Sequence, residues 1–282
     1  MMSSLSHLAS RLDNSYMRSL HPDPQESKFS PNRVSREVHS GHYVRVAPTP
    51  LISPYMVVYS EELAHILGLT KEDCESPEFL RTFSGDLEGG IPGFGPLGWA
   101  TPYALSIYGE EVEPSGAGPK GNGYGDGRAI SIGEVPGGEG VGRWELQLKG
   151  GGRTPFSRGA DGAAVLRSSV REFLASEAMA AMRVPTTRSL SLIATASQSI
   201  LRPWYSQGTC SRKHGGDVMV ENRRAVTTRV APTFLRVGQV RRKLSLSLPL
   251  PPCVACSFPS LTHTHTPARA HTHTHTHTLS TV

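Results

Sequence analysis

Apolar and polar positions alternate over residues 143–149, where Trp144, Leu146 and Leu148 are separated by Glu145 and Gln147, and this period of two predicts a strand. Residues 129–135 read as a strand just ahead of it. Residues 42–46 form a short one before the turn Ala47-Pro48-Thr49-Pro50, residues 188–196 a later one, and 225–230 alternate again. Elsewhere the spacing is helical. Ser60 is placed to cap a helix with Glu61 and Glu62 in its first turn and Leu63, Ile66 and Leu67 on one face, closed by Gly68. Ser76-Pro77-Glu78 opens a second short helix carrying Phe79, Leu80 and Phe83 and ending at Gly85, and residues 89–98 are too glycine-rich for either element. The longest helix is predicted over 162–183, with Leu166, Val170, Phe173, Leu174, Ala178 and Met182 as its buried stripe, and Pro185 stops it. The pattern is that of a mixed α and β chain.

From residue 239 the pattern ends. Residues 244–252 read LSLSLPLPP, and His-Thr alternation then dominates to the end, as a CA-dinucleotide repeat read in frame would encode. Six histidines near the Cys253-xx-Cys256 pair could bind zinc adventitiously, but nothing around them supplies the packed surroundings that fix a structural metal site. Three regions are therefore expected: a disordered leader or weak targeting segment over 1–41, a folded body over 42–238, and a low-complexity tail over 239–282. The leader is Ser-rich with Arg11, Arg18 and Arg33, but Asp13, Asp23 and Glu26 dilute the pattern of an organelle address.

Charge and cysteine content narrow the partners. The net charge of the 282 residues is +5, yet the tail holds four basic residues (Arg241, Arg242, Lys243, Arg269) and no acid, leaving +1 for the first 238. A nearly neutral body has no electrostatic footprint for DNA or RNA. No run of eighteen apolar residues occurs, so no membrane-spanning helix is expected. Cys74 and Cys210 stand alone, and four cysteines make no disulfide framework in a chain this long, which favours a reducing compartment.

Three constellations carry chemistry. Residues 121–128 read Gly-Asn-Gly-Tyr-Gly-Asp-Gly-Arg directly before a strand; glycines at Gly125 and Gly127 let backbone amides approach phosphate oxygens, and Arg128 can fork onto them. A hairpin loop without a ligand explains the same glycines equally well. Lys149 ends a strand and Glu172 lies on the next helix, the arrangement by which protein kinases orient a lysine at nucleotide phosphates. Between them the second glycine loop, with Asp161-Gly162, sits at the amino end of that helix, where anions are favoured. No GxxxxGK[ST] exists, which excludes a P-loop enzyme, and a surface salt bridge is the plainer reading of the Lys149–Glu172 spacing alone. Arg229 and Arg236 flank a short apolar run and could converge on a polyphosphate, or simply be two solvated arginines.

Taken together, these stretches resemble the selenoprotein O family. Glu145-Leu-Gln-Leu-Lys149-Gly-Gly-Gly-Arg-Thr-Pro-Phe-Ser-Arg158, Asp161-Gly, and Val165-Leu-Arg-Ser-Ser-Val-Arg-Glu172-Phe-Leu-Ala-Ser-Glu-Ala-Met179 carry the likeness. Val46-Ala-Pro-Thr-Pro-Leu51, Tyr124-Gly-Asp-Gly-Arg-Ala129, Pro185-Thr-Thr-Arg-Ser-Leu190 and Arg229-Val-Ala-Pro continue it in the family's order, over roughly residues 42 to 238. The resemblance implies an α+β, protein-kinase-like (pseudokinase) fold, truncated after the nucleotide-binding lobe and with disordered ends. It implies ATP bound in a flipped orientation and transfer of AMP, not phosphate, to Ser, Thr or Tyr hydroxyls of protein substrates. By position it implies ATP binding by Gly125, Gly127, Arg128, Lys149, Asp161, Gly162, Arg229 and Arg236, with Glu172 as the ion-pair partner of Lys149. Mg2+ or Mn2+ is the implied metal, and a mitochondrial location the implied address, with the cytoplasm as the alternative. Residues 195–226 do not align with the family. Its catalytic aspartate and metal-binding Asn and Asp follow the arginine pair, where this chain has Gln239 and the His-Thr tail. No catalytic or metal-binding residue is therefore assigned, and the chain is expected to be inactive; a non-catalytic nucleotide-binding fragment, or an unfolded splice or gene-model product, is the alternative.

Overall fold

The computed structural model describes residues 4–38, 40–104, 106–107, 110–111, 124–137, 142–206 and 216–236. Gly121 to Gly123 of the first glycine loop, Cys210, the Cys253-xx-Cys256 pair and the His-Thr tail lie outside them. The strands in chain order are β1 (Val44–Val46), β2 (Pro54–Tyr59), β3 (Gly98–Ala100), β4 (Pro102–Ala104), β5 (Ser106–Ile107), β6 (Glu110–Glu111), β7 (Tyr124–Gly125), β8 (Ala129–Pro136), β9 (Arg143–Lys149), β10 (Ala164–Val165), β11 (Arg188–Trp204) and β12 (Val218–Ala231). The helices are α1 (Ser4–Ser10), α2 (Ser15–Ser19), α3 (Glu61–Ile66), α4 (Lys71–Cys74), α5 (Pro77–Phe83) and α6 (Leu166–Ala181). The fold is α+β.

One antiparallel sheet organises the molecule, in the order β1-β3-β8-β9-β12-β11-β2, with the short β10 paired to β12. Leu146 and Leu148 of β9, Val226 and Val230 of β12, and Leu190 and Ile193 of β11 form its apolar face, against which α3 and α5 bury Leu63, Phe79 and Phe83. Ser60 caps α3 by accepting the Leu63 amide, and Ser76 caps α5 with Pro77 in the first turn. Ile66, placed on the inward face of α3 by its spacing, is instead 45% exposed, because a six-residue helix turns only Leu63 and Ala64 onto the sheet.

The leader departs from expectation. Residues 4–38 are not disordered: α1 buries Leu5, Leu8 and Ala9 in the main core, and Asn14 Oδ1 accepts the Glu134 amide at 2.9 Å while Glu134 Oε2 accepts the Tyr16 amide at 2.7 Å. Polar groups of the leader thus satisfy backbone groups of the body, which a free leader would not do. Other predicted bounds shift. The helix expected from 162 begins at Leu166 because β10 intervenes, and the strands expected over 188–196 and 225–230 are longer, as the antiparallel pair β11 and β12. Within the stretch 195–226, the described residues 195–204 and 218–226 belong to these two strands. Among the described residues no helix is long and apolar enough to cross a membrane.

The buried stripe of α6 also differs. Phe173 is buried and Leu166 and Val170 partly so, but Leu174 is 62% and Met182 64% exposed, and Ala178 faces solvent. Ser169 and Ser176 take the inward places, with Ser176 Oγ donating to Ser189 Oγ at 2.7 Å. The reason lies opposite the helix. It packs on the second face of the sheet, where Leu192, Ala194 and Ala225 receive Phe173, Leu166 and Val170, while Ser189, Arg229 and Lys149 are met by Ser176 and Glu172.

Candidate nucleotide site

The second face of the sheet is where the chemistry gathers. Thr227 pairs with Lys149 and Arg229 with Gln147 across β12 and β9, while Ala129 pairs with Lys149 across β8. Paired residues of an antiparallel ladder point to the same side, so Lys149, Gln147, Glu145, Thr227 and Arg229 share one face. Helix α6 lies on it and brings down Glu172. Lys149 Nζ stands 3.0 Å from Glu172 Oε1, and the same oxygen accepts from Arg229 Nη1. One carboxylate thus serves two cations.

Arg229 is committed to the protein. Its Nε donates to the Arg188 carbonyl at 3.1 Å and its Nη2 to the Thr187 carbonyl at 2.6 Å and to the Thr187 hydroxyl. Lys149 is a third exposed and holds only the Glu172 contact among its described partners, so it is the cation of the pair that faces outward.

The two glycine loops are stapled together beside it. Thr154 Oγ1 donates to the Asp126 carbonyl at 2.6 Å, Ser157 Oγ donates to the Gly127 carbonyl, and the Gly150 amide donates to the Arg128 carbonyl at 2.8 Å. A side chain at Gly125 would strike the Phe156 ring, so this glycine is required by loop packing whether or not a phosphate approaches. Gly162 has φ +70°, and a Cβ there would collide with the backbone of Gly152 and Arg153. Arg128 is exposed and reaches the Ala163 carbonyl with Nη1 at 3.4 Å, which ties it to the Asp161-Gly162 turn.

The acids are held differently. Burial raises the Asp161 carboxyl, but the Ala163 amide at 3.0 Å and Arg202 of β11, at 2.7 and 2.9 Å, outweigh it and keep the group below its ordinary value. Asp126 is buried and pushed up by desolvation, offset in part by the Thr101 amide and hydroxyl and by the charge of Arg236. Arg236 therefore lies within electrostatic reach of the glycine loop. Glu145 sits deep in the same face and is pushed up to about 7, chiefly by burial.

The structure thus brings Lys149, Glu172 and Arg229 into one cluster and links Arg128 to the Asp161-Gly162 turn, while the charge of Arg236 bears on Asp126. Two contributors escape sequence reasoning. Arg202 lies in the unaligned part of β11, and Glu177 accepts from Arg188, the Ser189 amide and Ser60 at the rear of α6. No group of three or more His, Cys, Asp or Glu side chains able to hold a metal occurs among the described residues.

The family model for protein adenylyltransferase SelO matches residues 26–248, a wider span than the 42–238 suggested by the motifs alone. The chain is 43% identical over 228 residues to "Protein nucleotidyltransferase YdiU" of Azoarcus sp. (strain BH72), covering 80% of this chain and 38% of that protein. It is 44% identical over 234 residues to the protein of the same name from Xanthomonas campestris pv. campestris (strain 8004), covering 83% of this chain and 39% of that one. The chain therefore spans well under half the length of the curated relatives it matches. With its motifs, its fold and this match in agreement, the chain belongs to the SelO family.

Proposed function

We propose that residues 26–248 are the ATP-holding part of a protein adenylyltransferase, and that ATP lies against the polar face of the sheet at the mouth of the two stapled loops. The observation that carries this reading is the Lys149–Glu172 pair, set at the end of a strand and on the following helix beside both glycine loops. An antiparallel sheet with one long helix laid on it is compatible with a kinase-like lobe. The relatives' name, nucleotidyltransferase, supports the same chemistry.

In AMP transfer a Ser, Thr or Tyr hydroxyl oxygen of the protein substrate bonds to the α-phosphorus while the bond to the β-phosphate oxygen breaks, and pyrophosphate leaves. Lys149 and Arg128 reach outward at this site and stabilise negative charge on the phosphates, a task that needs fixed donors and not covalent chemistry. Glu172 holds Lys149 in place. Arg229 acts by anchoring Glu172 to the β11–β12 pair, and Arg236 adds charge at the glycine loop. Asp161 and Gly162 shape the turn that closes the second loop.

The chain of 282 residues is expected to bind ATP without transferring AMP. The test is calorimetric titration with ATP and magnesium, alongside mass spectrometry of a generic protein acceptor for added AMP. Binding that disappears in Lys149→Ala, with helix content unchanged, supports the site. Absence of binding in the folded wild type overturns it, and AMP transfer by this chain alone would show that the catalytic residues lie within it.

A further inference from the structure

Glu145 is a buried acid for which the nucleotide site has no direct use. Its Oε1 accepts from Ser131 Oγ at 2.5 Å, and Ser131 Oγ in turn accepts from Gln147 Nε2 at 3.1 Å. Its Oε2 accepts the backbone amide of Phe234 at 2.9 Å. That last bond is the informative one. Strand β12 ends at Ala231, which pairs with Glu145 itself, and beyond it the chain leaves the ladder and crosses back over the face on which Glu145 stands. The small side chain of Ala231 leaves room for this crossing, and the Glu145 carboxylate receives the amide that would otherwise lose its partner. Two residues further on is Arg236, whose charge is felt at Asp126 in the first glycine loop.

We propose that Glu145 is a positioning residue that sets Arg236 at the nucleotide site by gripping the Phe234 amide, and that protonation of Glu145 loosens this grip. The proposal rests on the nucleotide reading above and adds a control to it. A carboxylate accepts an amide hydrogen bond more strongly than the neutral acid does. The surroundings make that switch accessible near neutrality. Glu134 on β8, itself paired with Arg143 at 3.2 Å, and Asp126 in the loop both press on Glu145 with like charge. From the leader, Tyr16 of α2 faces the same three acids, which with burial raise its phenol well above the ordinary value. Arg236 is the cation on this side, acting on Asp126.

The experiment uses the whole chain, with ATP and magnesium as the probe, at pH 6 and pH 8. Amide exchange at Phe234, corrected for intrinsic rate, is read in parallel. Expected are a protected Phe234 amide in the wild type and in Glu145→Gln, whose amide oxygen can still accept, and loss of that protection in Glu145→Ala. Glu145→Ala should weaken ATP binding about tenfold, the loss of roughly one charge-assisted hydrogen bond, and should add nothing to Arg236→Ala. Affinity should rise with pH more steeply in the wild type than in Glu145→Gln, a difference from which the nucleotide's own titration cancels. An equal loss from Glu145→Ala in the Arg236→Ala background, or matching pH slopes in wild type and Glu145→Gln, overturns the proposal while leaving the site standing. A folded wild type with a protected Phe234 amide and no ATP binding overturns the nucleotide reading, and the role given to Glu145 with it.

Discussion

The two faces of the central sheet are about equally buried and owe their burial to different physics. On one, Leu146, Leu148, Val226 and Val230 are fully buried among aromatic and aliphatic neighbours. On the other, Gln147 is 3% and Thr227 1% exposed and Glu145 only 5%, and these polar groups lie beside a small apolar patch of Leu192, Ala194 and Ala225 under Phe173 of α6. The first face gains from removing apolar area from water and tolerates any arrangement that fills the space. The second gains less from area and depends more on donors meeting acceptors, with the buried Thr227 hydroxyl as an exception, so small displacements are costly. A surface of that kind is specified in detail, and it is the one on which Lys149, Glu172 and Arg229 gather.

Substitutions should separate the two faces, and the largest effect belongs to the apolar one. Leu148→Ala leaves a cavity in the main core and should cost about 3 kcal/mol in urea unfolding without altering ATP affinity in the folded fraction. A cost under 1 kcal/mol would mean that this face is less tightly packed than its burial indicates.

The polar face should instead respond to pH. Glu145 titrates at about 7 in the folded protein, against an ordinary value of 4.5 in the unfolded chain. The folded state therefore holds a proton that the unfolded chain has released, and stability falls as pH rises from 4.5 through 7. Between pH 5 and pH 8 the wild type should lose about 2 kcal/mol more than Glu145→Gln, read from unfolding midpoints. Stability and ATP affinity then move in opposite directions with pH, which no change in general packing would produce.

Removing the shared carboxylate is the next test in size. Glu172→Ala leaves Lys149 and Arg229 facing one another without their common partner and should cost about 1–2 kcal/mol, together with loss of ATP binding. Lys149→Ala should abolish binding with little change in stability, since Arg229 still neutralises Glu172. Equal destabilisation by the two variants would show that Lys149 and not Arg229 anchors the helix. The smallest effect is expected at the rim. Glu62 is 77% exposed at its contact with Arg188, which keeps Glu177 at 2.8 Å, so Glu62→Ala should change stability by less than about 0.5 kcal/mol.

Much of this was legible in the sequence, and for identifiable reasons. Alternation over 143–149 located β9, Ser60 and Ser76 located two helix starts, and the run from Glu145 to Met179 carried the family likeness. Each is a local signal, set by backbone geometry and capping within a few residues. The buried stripe of α6 is less legible because a helix's inward face depends on what lies opposite: polar groups of the sheet meet Ser176 and Glu172, a small apolar patch takes Phe173, and Leu174 and Met182 stay out.

The structure of the leader is hard to read from sequence for a related reason. Its sequence has too little periodicity to predict folding alone, and its order comes from Asn14 and Tyr16 meeting Glu134, more than a hundred residues away. The sequence by itself determined the family, the strands that carry Lys149 and Arg229, and the helix that carries Glu172, because these follow from local spacing and motif. Only the tertiary structure decided that Glu172 serves both cations, that Phe156 fills the space beside Gly125, and that Glu145 receives the Phe234 amide. Those facts depend on which side chains are left facing one another once distant strands have paired.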